Sequence, residues 1–370
     1  MTTAQLEIQL IAVIVAIACA LPGVFLVLRK MAMMSDAIGH AILFGIVLGF
    51  FVVHDVSSPL LVVAAALTGI LTVFLVESLY HTRLVREDAA IGLVFPLLFS
   101  IGVILISRYA GDIHLDVDSV LLGELAFAPF DRLVISDYDL GPRAVYLMSA
   151  ILILNVIFIA LFYKELKLAS FDAGMAAAAG FSPVLIHYSL MSLVSLTAVG
   201  AFDAVGAVLV VALMIAPPAA AYLLTNRLSL MLLLSAVIAV FSAISGYWLA
   251  NSLDVNIAGA MATMTGVVFV VVLLFAPFRG LFAIARRKSR QRIEFAQKML
   301  AVHLLNHQGK PEEQERECHL KDVHEHLRWE KEFAMRIAQA SEKEGLLQIN
   351  SDILTLTSSG LNLARKSMVE

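Results

Sequence analysis

Charged residues are scarce in this chain. Only 15% of its 370 residues are Asp, Glu, Lys or Arg, whereas soluble globular domains carry about 25%. Hydrophobic residues make up 60%, and the mean hydropathy is +0.88. So little polar surface excludes a soluble globule and predicts an integral membrane protein.

Cysteine and enzyme motifs are lacking too. The two cysteines, Cys19 and Cys318, are too few and too far apart for a disulfide framework. The chain has no GxxxxGK[ST] phosphate loop, no HExxH and no GxSxG, so no motif predicts catalysis. The N-terminus lacks the basic region and cleavage site of a secretory signal, and its apolar run is interpreted as a retained first span.

The charges that are present are concentrated at one end, since half of them lie in the last 85 residues. Residues 286–370 hold 15 of the 26 basic residues and 13 of the 30 acidic residues. This division predicts a transmembrane domain at residues 1–285 and a cytosolic domain at residues 286–370.

Nine apolar runs approach the length of a transmembrane helix, which needs about 20 mostly apolar residues. They lie near residues 8–28, 34–53, 60–79, 91–108, 142–162, 184–201, 204–224, 229–250 and 257–278. They predict an all-α polytopic membrane protein with eight or nine transmembrane helices.

Basic residues follow every second run. Arg29, Arg83, Lys164, Arg227 and Arg279 each lie in such a connection. Short cytoplasmic loops carry an excess of Lys and Arg. These connections and the C-terminal domain are therefore predicted to face the cytoplasm, with the spans in the inner (plasma) membrane.

The connection at residues 109–140 is acidic instead. Its carboxylates are Asp112, Asp116, Asp118, Glu124, Asp131, Asp137 and Asp139. An acidic outer mouth would concentrate cations, but an ordinary solvated loop explains the same residues. The apolar stretch at 117–130 is too short to cross and is expected to lie at the outer interface or to re-enter the membrane.

Two ionisable residues stand inside the second run, where charge is costly and usually faces a cavity, a partner or an ion path. Asp36 and His40 are four residues apart, so a helix with about 3.6 residues per turn places both on one face. A carboxylate and an imidazole suit Mn, Zn or Fe(II) better than Ca or Mg. Alternatively, Asp36 favours a helix N-terminus and His40 makes a polar contact between helices.

Other ionisable residues in the spans are weaker candidates for a metal site. Asp203 lies among closely spaced Gly and Ala, which could break a helix or form a short outer turn. His187 and Glu77 lie near the cytoplasmic ends of spans, where interfacial solvation explains them.

Several long stretches, taken in order, resemble one family. They are GVFLVLRKMAMMSDAIGHAILFGIVLGF, REDAAIGLVFPLLFSIGVILIS, FDAGMAAAAGFSP and VGAVLVVALMIAPPAAAYLLTNRLSLMLLLSAVIAVFSAISGYWLA. Over residues 8–280 the chain resembles the metal-type permeases of ABC importers, which serve zinc, manganese and iron. In that family, the residues matching Asp36 and His40 lie on the metal pathway. The family commonly has Gln near Asp203, where an acid could add a metal ligand.

The resemblance also implies partners. Such a permease moves a divalent metal ion as substrate, binds no permanent cofactor and is not itself an enzyme. Two permease chains, identical or homologous, work on two ATP-binding cassette ATPase chains and receive metal from an extracellular or periplasmic metal-binding protein. By sequence alone, the Ala-rich stretch after the fifth run is an ordinary connecting helix. In the family it docks into the ATPase, through residues that match Phe171, Asp172, Ala176, Gly180 and Pro183.

The C-terminal domain has a pattern of its own. It starts with the basic run ARRKSRQR, which could contact anionic membrane lipid. Helical patterns follow at 291–307, 318–327 and 330–344, then a hairpin around residues 350–352 and a last helix. This order resembles the winged helix of iron-dependent repressors, and it predicts a small α+β domain.

The role predicted for this domain is regulation or protein contact. The expected recognition helix is rich in Glu, which argues against DNA as a partner. Cys318, His319, His324 and His326 could form a metal-sensing cluster, since thiolate and imidazole ligate Zn and Fe. A solvated helix face is the alternative.

Two other functional classes stay open on the sequence. One is an ion-coupled secondary metal transporter. The other is a membrane-anchored metal-responsive regulator, in which the spans only tether the C-terminal domain.

Overall fold

In a computed structural model, the chain is described over residues 2–54, 58–109, 125–135, 138–307, 317–350 and 352–369. It forms two compact units, Met1–Gly280 and Leu281–Glu370. The boundary expected between residues 285 and 286 falls inside the helix that opens the second unit, because that helix begins at Leu281.

The first unit consists mainly of long apolar helices. In chain order, its described helices are α1 (Thr3–Leu28), α2 (Met33–Val53), α3 (Pro59–His81), α4 (Glu87–Tyr109), α5 (Arg143–Leu161), α6 (Tyr163–Phe171), α7 (Ala173–Ala178), α8 (Pro183–Val205), α9 (Ala207–Leu224), α10 (Leu228–Leu253) and α11 (Ile257–Phe275). Apart from the short α6 and α7, these helices are long and apolar enough to cross a membrane. They number nine within the described ranges, which confirms the predicted polytopic fold.

Helix ends coincide with capping residues. Thr2 and Gln5 form a capping box at the start of α1. α8 begins with Pro183, and the hydroxyl of Ser182 before it accepts the Leu185 N–H at 3.4 Å. Side chains at these positions satisfy backbone groups that the helix itself leaves without partners.

α1 is the most deeply packed helix of this unit. It contacts α5, α8, α9 and α10, and it buries small residues such as Ala12 and Cys19. Small residues let helix backbones approach closely in lipid, where the hydrophobic effect does not drive association. Asn155 of α5 is fully buried, and its amide donates to the Ala18 carbonyl at 2.9 Å and to Thr197 at 3.0 Å.

The acidic connection is described only in part. Asp112, Asp116, Asp118, Glu124 and Asp137 lie outside the described residues, as does the apolar stretch up to residue 124. The rest of that stretch ends in a 3₁₀ turn, Ala128–Phe130. A hairpin that the sequence did not predict follows, with β1 (Arg132–Ile135) and β2 (Tyr138–Pro142) antiparallel.

Arg132 neutralises part of this acidic connection. Its Nε donates to Asp139 at 2.5 Å, and its Nη1 lies 3.5 Å from Glu7 near the start of α1. The hydrogen bond from Arg132 lowers the pKa of Asp139 below its ordinary value. Asp139 is therefore a paired carboxylate and contributes little to a cation-attracting mouth.

The second unit combines helices with a hairpin. Its described elements are α12 (Leu281–His307), α13 (Val323–His326), α14 (Lys331–Lys343), β3 (Leu347–Asn350), β4 (Ile353–Leu356) and α15 (Ser358–Val369). The strands are antiparallel, with Leu347 opposite Leu356 and Asn350 opposite Ile353. A separate hydrophobic core includes Leu300, Ile337 and Leu354.

The helix predicted at residues 318–327 is wrong over its first half. His319 forms a β-bridge with Ile353, and the Leu354 N–H donates to the Cys318 carbonyl at 2.9 Å. Residues 318–320 thus lie beside β4, and the helix is confined to Val323–His326. Local periodicity cannot reveal a backbone partner that lies more than 30 residues away.

Gly246 sets the spacing between α10 and α11. A Cβ atom at this position would overlap the backbone of Met261 in α11. We expect Gly246→Ala to lower the free energy of unfolding by about 1–3 kcal/mol through overpacking. The measurement is thermal unfolding of the purified chain in detergent.

Gly266 of α11 is the matched control, because a Cβ there meets no atom within 4 Å. Gly266→Ala should leave Tm unchanged or raise it, since Ala favours a helix over Gly by about 1 kcal/mol. Equal losses of Tm in both variants would contradict the role of Gly246.

Candidate functional site

Asp36 and His40 form a pair on one face of α2. The Asp36 Oδ1 lies 3.5 Å from the His40 Nε2, and the two side chains are 33% and 32% exposed. Asp36 lies in the first turn of the helix, where the helix dipole favours a carboxylate. The N-cap, however, is Ala32, so Asp36 faces His40 instead of capping the helix.

Aromatic side chains of α4 flank the imidazole. His40 is stacked on Phe95 with ring centroids 5.5 Å apart, and the ring of Phe99 meets it edge-on at 6.0 Å. His40 lies seven residues into α2, which is about 10 Å along the helix axis. The pair therefore presents a carboxylate and an imidazole below the surface of an apolar bundle.

In the described part of the chain, this pair offers two potential metal ligands and not three. No third His, Cys, Asp or Glu from the described residues converges on Asp36 and His40. A metal ion held by one chain here would have two protein ligands, fewer than the four of a structural zinc site. Such a pair suits an ion that must also be released.

Asp203 belongs to a different region. It is an exposed residue in the last turn of α8, and the break between α8 and α9 falls at Gly206, whose φ is +78°. The charged groups near it are Asp131 and Arg143. Asp203 is thus at the opposite end of α8 from His187, and the structure does not bring it together with Asp36 and His40.

A polar network that the sequence did not predict joins four segments. His187 of α8 places its Nε2 2.6 Å from Oε1 of Glu77 in α3. Its Nδ1 lies 3.3 Å from Nη1 of Arg29, and Arg29 Nε donates to Ser170 of α6 at 3.1 Å. Burial lowers the pKa of Arg29 to about 10, which still leaves it charged at pH 7.

The proton positions in this network follow from donor chemistry. A guanidinium can only donate, so the Nδ1 of His187 accepts from Arg29 and the Nε2 carries the proton that faces Glu77. Interfacial solvation is therefore the wrong explanation for Glu77 and His187. Their positions, 110 residues apart in the chain, gave no signal of the pairing.

The connection between α5 and α8, residues 162–182, contains the short helices α6 and α7, and we call it the elbow. Asp172 has a φ of −153° and caps α7, accepting the Met175 N–H at 2.9 Å. Gly180, with a φ of +87°, ends this turn, because a left-handed backbone favours glycine. Pro183 then starts α8.

This elbow exposes apolar side chains. Phe171 and Met175 are 63% and 61% exposed, while Ala176 is buried beneath them. Val184 and Leu185, just after the elbow, are exposed as well. An exposed apolar surface on a short capped helix is typical of a protein contact.

The four residues of the predicted sensing cluster do not converge. Cys318 is buried, and burial raises the pKa of its thiol. His319 lies in the bridge to Ile353. Within the described ranges, the group of potential metal ligands that does converge is His303, His307 and Glu317, and His326 contacts it through Glu317.

Relatives with curated names are transport proteins. The zinc transport system membrane protein TroD of Treponema pallidum (strain Nichols) is 47% identical over 362 residues, which cover 97% of this chain and 98% of TroD. The manganese transport system membrane protein MntD of Bacillus subtilis (strain 168) is 51% identical over 268 residues, 72% of this chain and 90% of MntD.

A solved structure shares the fold. The structure described as PsaBC from Streptococcus pneumoniae in complex with Fab matches with a TM-score of 0.62 and 26% identity, over 75% of this chain and 94% of the other.

The family assignment covers the membrane unit. The sequence model of the ABC 3 transport family matches residues 3–276 and so ends before the second unit, and the resemblance of that unit to repressors is not supported by it. The chain, a multi-span membrane protein, belongs to the ABC 3 transport family.

Proposed function

We propose that this chain is the membrane permease subunit of an ATP-binding cassette importer that moves a divalent transition metal, Mn, Zn or Fe, into the cytoplasm. The observation that carries the proposal is the Asp36–His40 pair, which lies on a membrane helix of a chain from an ABC transport family. This membership favours the importer over an ion-coupled transporter or a membrane-anchored regulator.

The class of cargo follows from the donors. Imidazole and carboxylate together suit Zn, Mn and Fe(II). The relatives TroD and MntD are named for zinc and manganese transport. The metal is substrate here, so weak ligation by two side chains per chain is an advantage for release.

A second permease chain, identical or homologous, would complete the pathway. Two donors fall short of the four that zinc prefers, and both side chains of the pair are about one third exposed. A second copy that presents the same pair would bring the total to four. An extracellular or periplasmic metal-binding protein would deliver the ion.

The elbow between α5 and α8 is the proposed docking site for the ATPase subunit. Its exposed Phe171 and Met175 offer an apolar contact, and Asp172 and Gly180 fix its shape. The chain has no phosphate-binding loop of its own, so a partner has to hydrolyse the ATP.

The Arg29 network would transmit motion from this elbow to the spans. Ser170, adjacent to Phe171, is bonded to Arg29 at the end of α1, and Arg29 contacts His187 of α8. His187 in turn contacts Glu77 of α3. A displacement of α6 by the ATPase therefore acts directly on three membrane helices.

Side-chain contacts support the proposed orientation. The ends of α1, α3 and α8 that meet in the Arg29 network are all ends assigned to the cytoplasm by their basic residues. After α11, Arg279 donates to the carbonyl of Tyr222 in the last turn of α9 and to the side-chain oxygen of Asn226, which follows α9. The second unit, which follows Arg279, would then be cytoplasmic.

For the second unit we propose regulation or protein contact. Its basic start would contact anionic lipid. Its order of helices and hairpin agrees with a winged-helix-like domain, and its α14 carries Glu332 and Glu342 among its basic residues, which disfavours DNA.

Asp36→Asn and His40→Gln should each reduce ATP-dependent metal uptake by about 10-fold or more, because loss of even an outer-shell partner of a metal typically costs that much affinity. Uptake of radioactive Mn or Zn is measured in liposomes that contain the permease with its ATPase. Association with the ATPase should be unchanged. The control is Asp88→Asn, an exposed carboxylate at the start of α4; normal uptake by both pair variants would rule out the pair.

Phe171→Glu combined with Met175→Glu should abolish co-purification of the ATPase, because two charges replace the apolar contact. The purified permease should still unfold at its normal temperature. Phe130→Glu is the matched control, since Phe130 is 74% exposed in the segment assigned to the outer side. A double variant that retains the ATPase would refute the docking site.

Arg29→Gln should leave the ATPase bound but reduce uptake, because it breaks the link between α6 and α8. ATP hydrolysis and uptake are measured on the same liposomes, so that uncoupling appears as hydrolysis without transport. Lys30→Gln changes the exposed neighbouring cation and should have no effect. Fully coupled transport by Arg29→Gln would contradict the proposed transmission.

A further inference from the structure

The second unit contains a cluster of histidines and one carboxylate that the transport function does not use. His303 and His307 lie one turn apart at the end of α12. Glu317 and His326 come from the segment around α13. All four lie outside the membrane unit, and only His326 belongs to the group predicted from the sequence.

The cluster has the dimensions of a metal site. His303, His307 and Glu317 each offer one ligand atom, and these atoms all lie within 4.8 Å of one another. Ligands about 2.1 Å from a tetrahedral metal lie about 3.4 Å apart. The side chains therefore have to approach by at most about 1.4 Å, a change that rotamer adjustments on a packed helix can supply.

Hydrogen bonds orient the imidazole of His303 for ligation. Its Nε2 lies 2.9 Å from the backbone carbonyl of Glu317, and a carbonyl only accepts, so Nε2 carries the proton. The lone pair is then on Nδ1. Metal-bound histidines commonly donate their second N–H to a backbone carbonyl in this way, which fixes the tautomer and the ring orientation.

His326 orients the carboxylate. Its Nδ1 lies 2.9 Å from Oε2 of Glu317, which leaves the other carboxylate oxygen for a ligand. The ring of His326 is stacked on that of His303 with centroids 5.9 Å apart, and the ring of His307 lies 4.8 Å from His303. Three imidazoles around one carboxylate are an unusual density for a merely solvated surface.

We propose that His303, His307 and Glu317 bind one divalent first-row transition metal ion, with His326 as the residue that positions Glu317. Two imidazoles and one carboxylate are a ligand set used by Zn and by non-haem Fe(II), and the open positions take water. A spacing of four residues on one helix lets both histidines reach the same ion.

This ligand set differs from the predicted group of Cys318, His319, His324 and His326, of which only His326 takes part, as a positioning residue. Cys318 is a buried thiol, and the backbone of His319 is paired with Ile353. The site binds metal whether or not the membrane unit transports it, so the inference does not rest on the proposed function.

The test is Co(II) binding by the full chain in detergent, after removal of metal with a chelator. The Asp36→Asn variant is used as background, so that the membrane pair contributes no ligand field. We expect one Co(II) per chain with visible ligand-field absorption. His307→Ala and Glu317→Gln should each weaken binding by about 10- to 100-fold or more, as expected for loss of a ligand.

Two controls and one gain-of-signal variant make the outcome decisive. His324→Gln and Glu325→Gln change a neighbouring histidine and a neighbouring carboxylate outside the ligand set, and should bind Co(II) normally. His307→Cys should add a thiolate-to-Co(II) charge-transfer band, because the new sulfur is bonded to the metal. Thermal unfolding without metal should be the same for all variants.

The proposal is overturned if the chain takes up no Co(II), if His307→Ala and Glu317→Gln bind like the background, or if His307→Cys gives no charge-transfer band. Uptake assays test the proposed importer function independently of Co(II) binding by the second unit. Normal uptake by the Asp36→Asn variant together with intact Co(II) binding would contradict the proposed transport pair alone.

Discussion

A chain that crosses hydrocarbon has to satisfy its backbone hydrogen bonds internally, and the membrane unit is organised by that constraint. It explains why this unit is helical and why its polar side chains return to nearby carbonyls. Thr72 donates to the carbonyl of Thr68 at 2.8 Å, and Ser195 of α8 donates to Ala66 of α3 at 2.9 Å. Polar side chains that do not bond to a helix carbonyl are therefore the candidates for a function.

The two arrangements on which the proposed transport depends are built differently. Asp36 and His40 belong to one helix, so α2 alone fixes their separation and α4 only supplies the aromatic wall. The Arg29 network takes its members from α1, α3, α6 and α8, so it exists only when these segments are packed. The first arrangement suits an ion that binds and leaves. The second suits a mechanical link between an external elbow and the spans.

The second unit uses similar donors for a different purpose. Its histidines and carboxylate come from two segments that contact each other, whereas Asp36 and His40 belong to one helix; the side chains that form the contacts are about one third exposed in both places. Outer-shell contacts that fix a ligand, such as that of His326 with Glu317, are typical of a resident metal. This supporting contact is what favours a resident metal in the second unit.

The amino-acid sequence by itself determined the membrane class and the apolar spans and placed Asp36 and His40 on one helix face, because each depends on local composition or on spacing within one helix. It also indicated the two units through the distribution of charge. Only the tertiary structure decided which distant residues meet. It paired Glu77 with His187, placed residues 318–320 beside β4 and gathered His303, His307 and Glu317. The physical reason is that contacts between separate elements depend on how helices pack, and no period in a single segment records the identity of its neighbour.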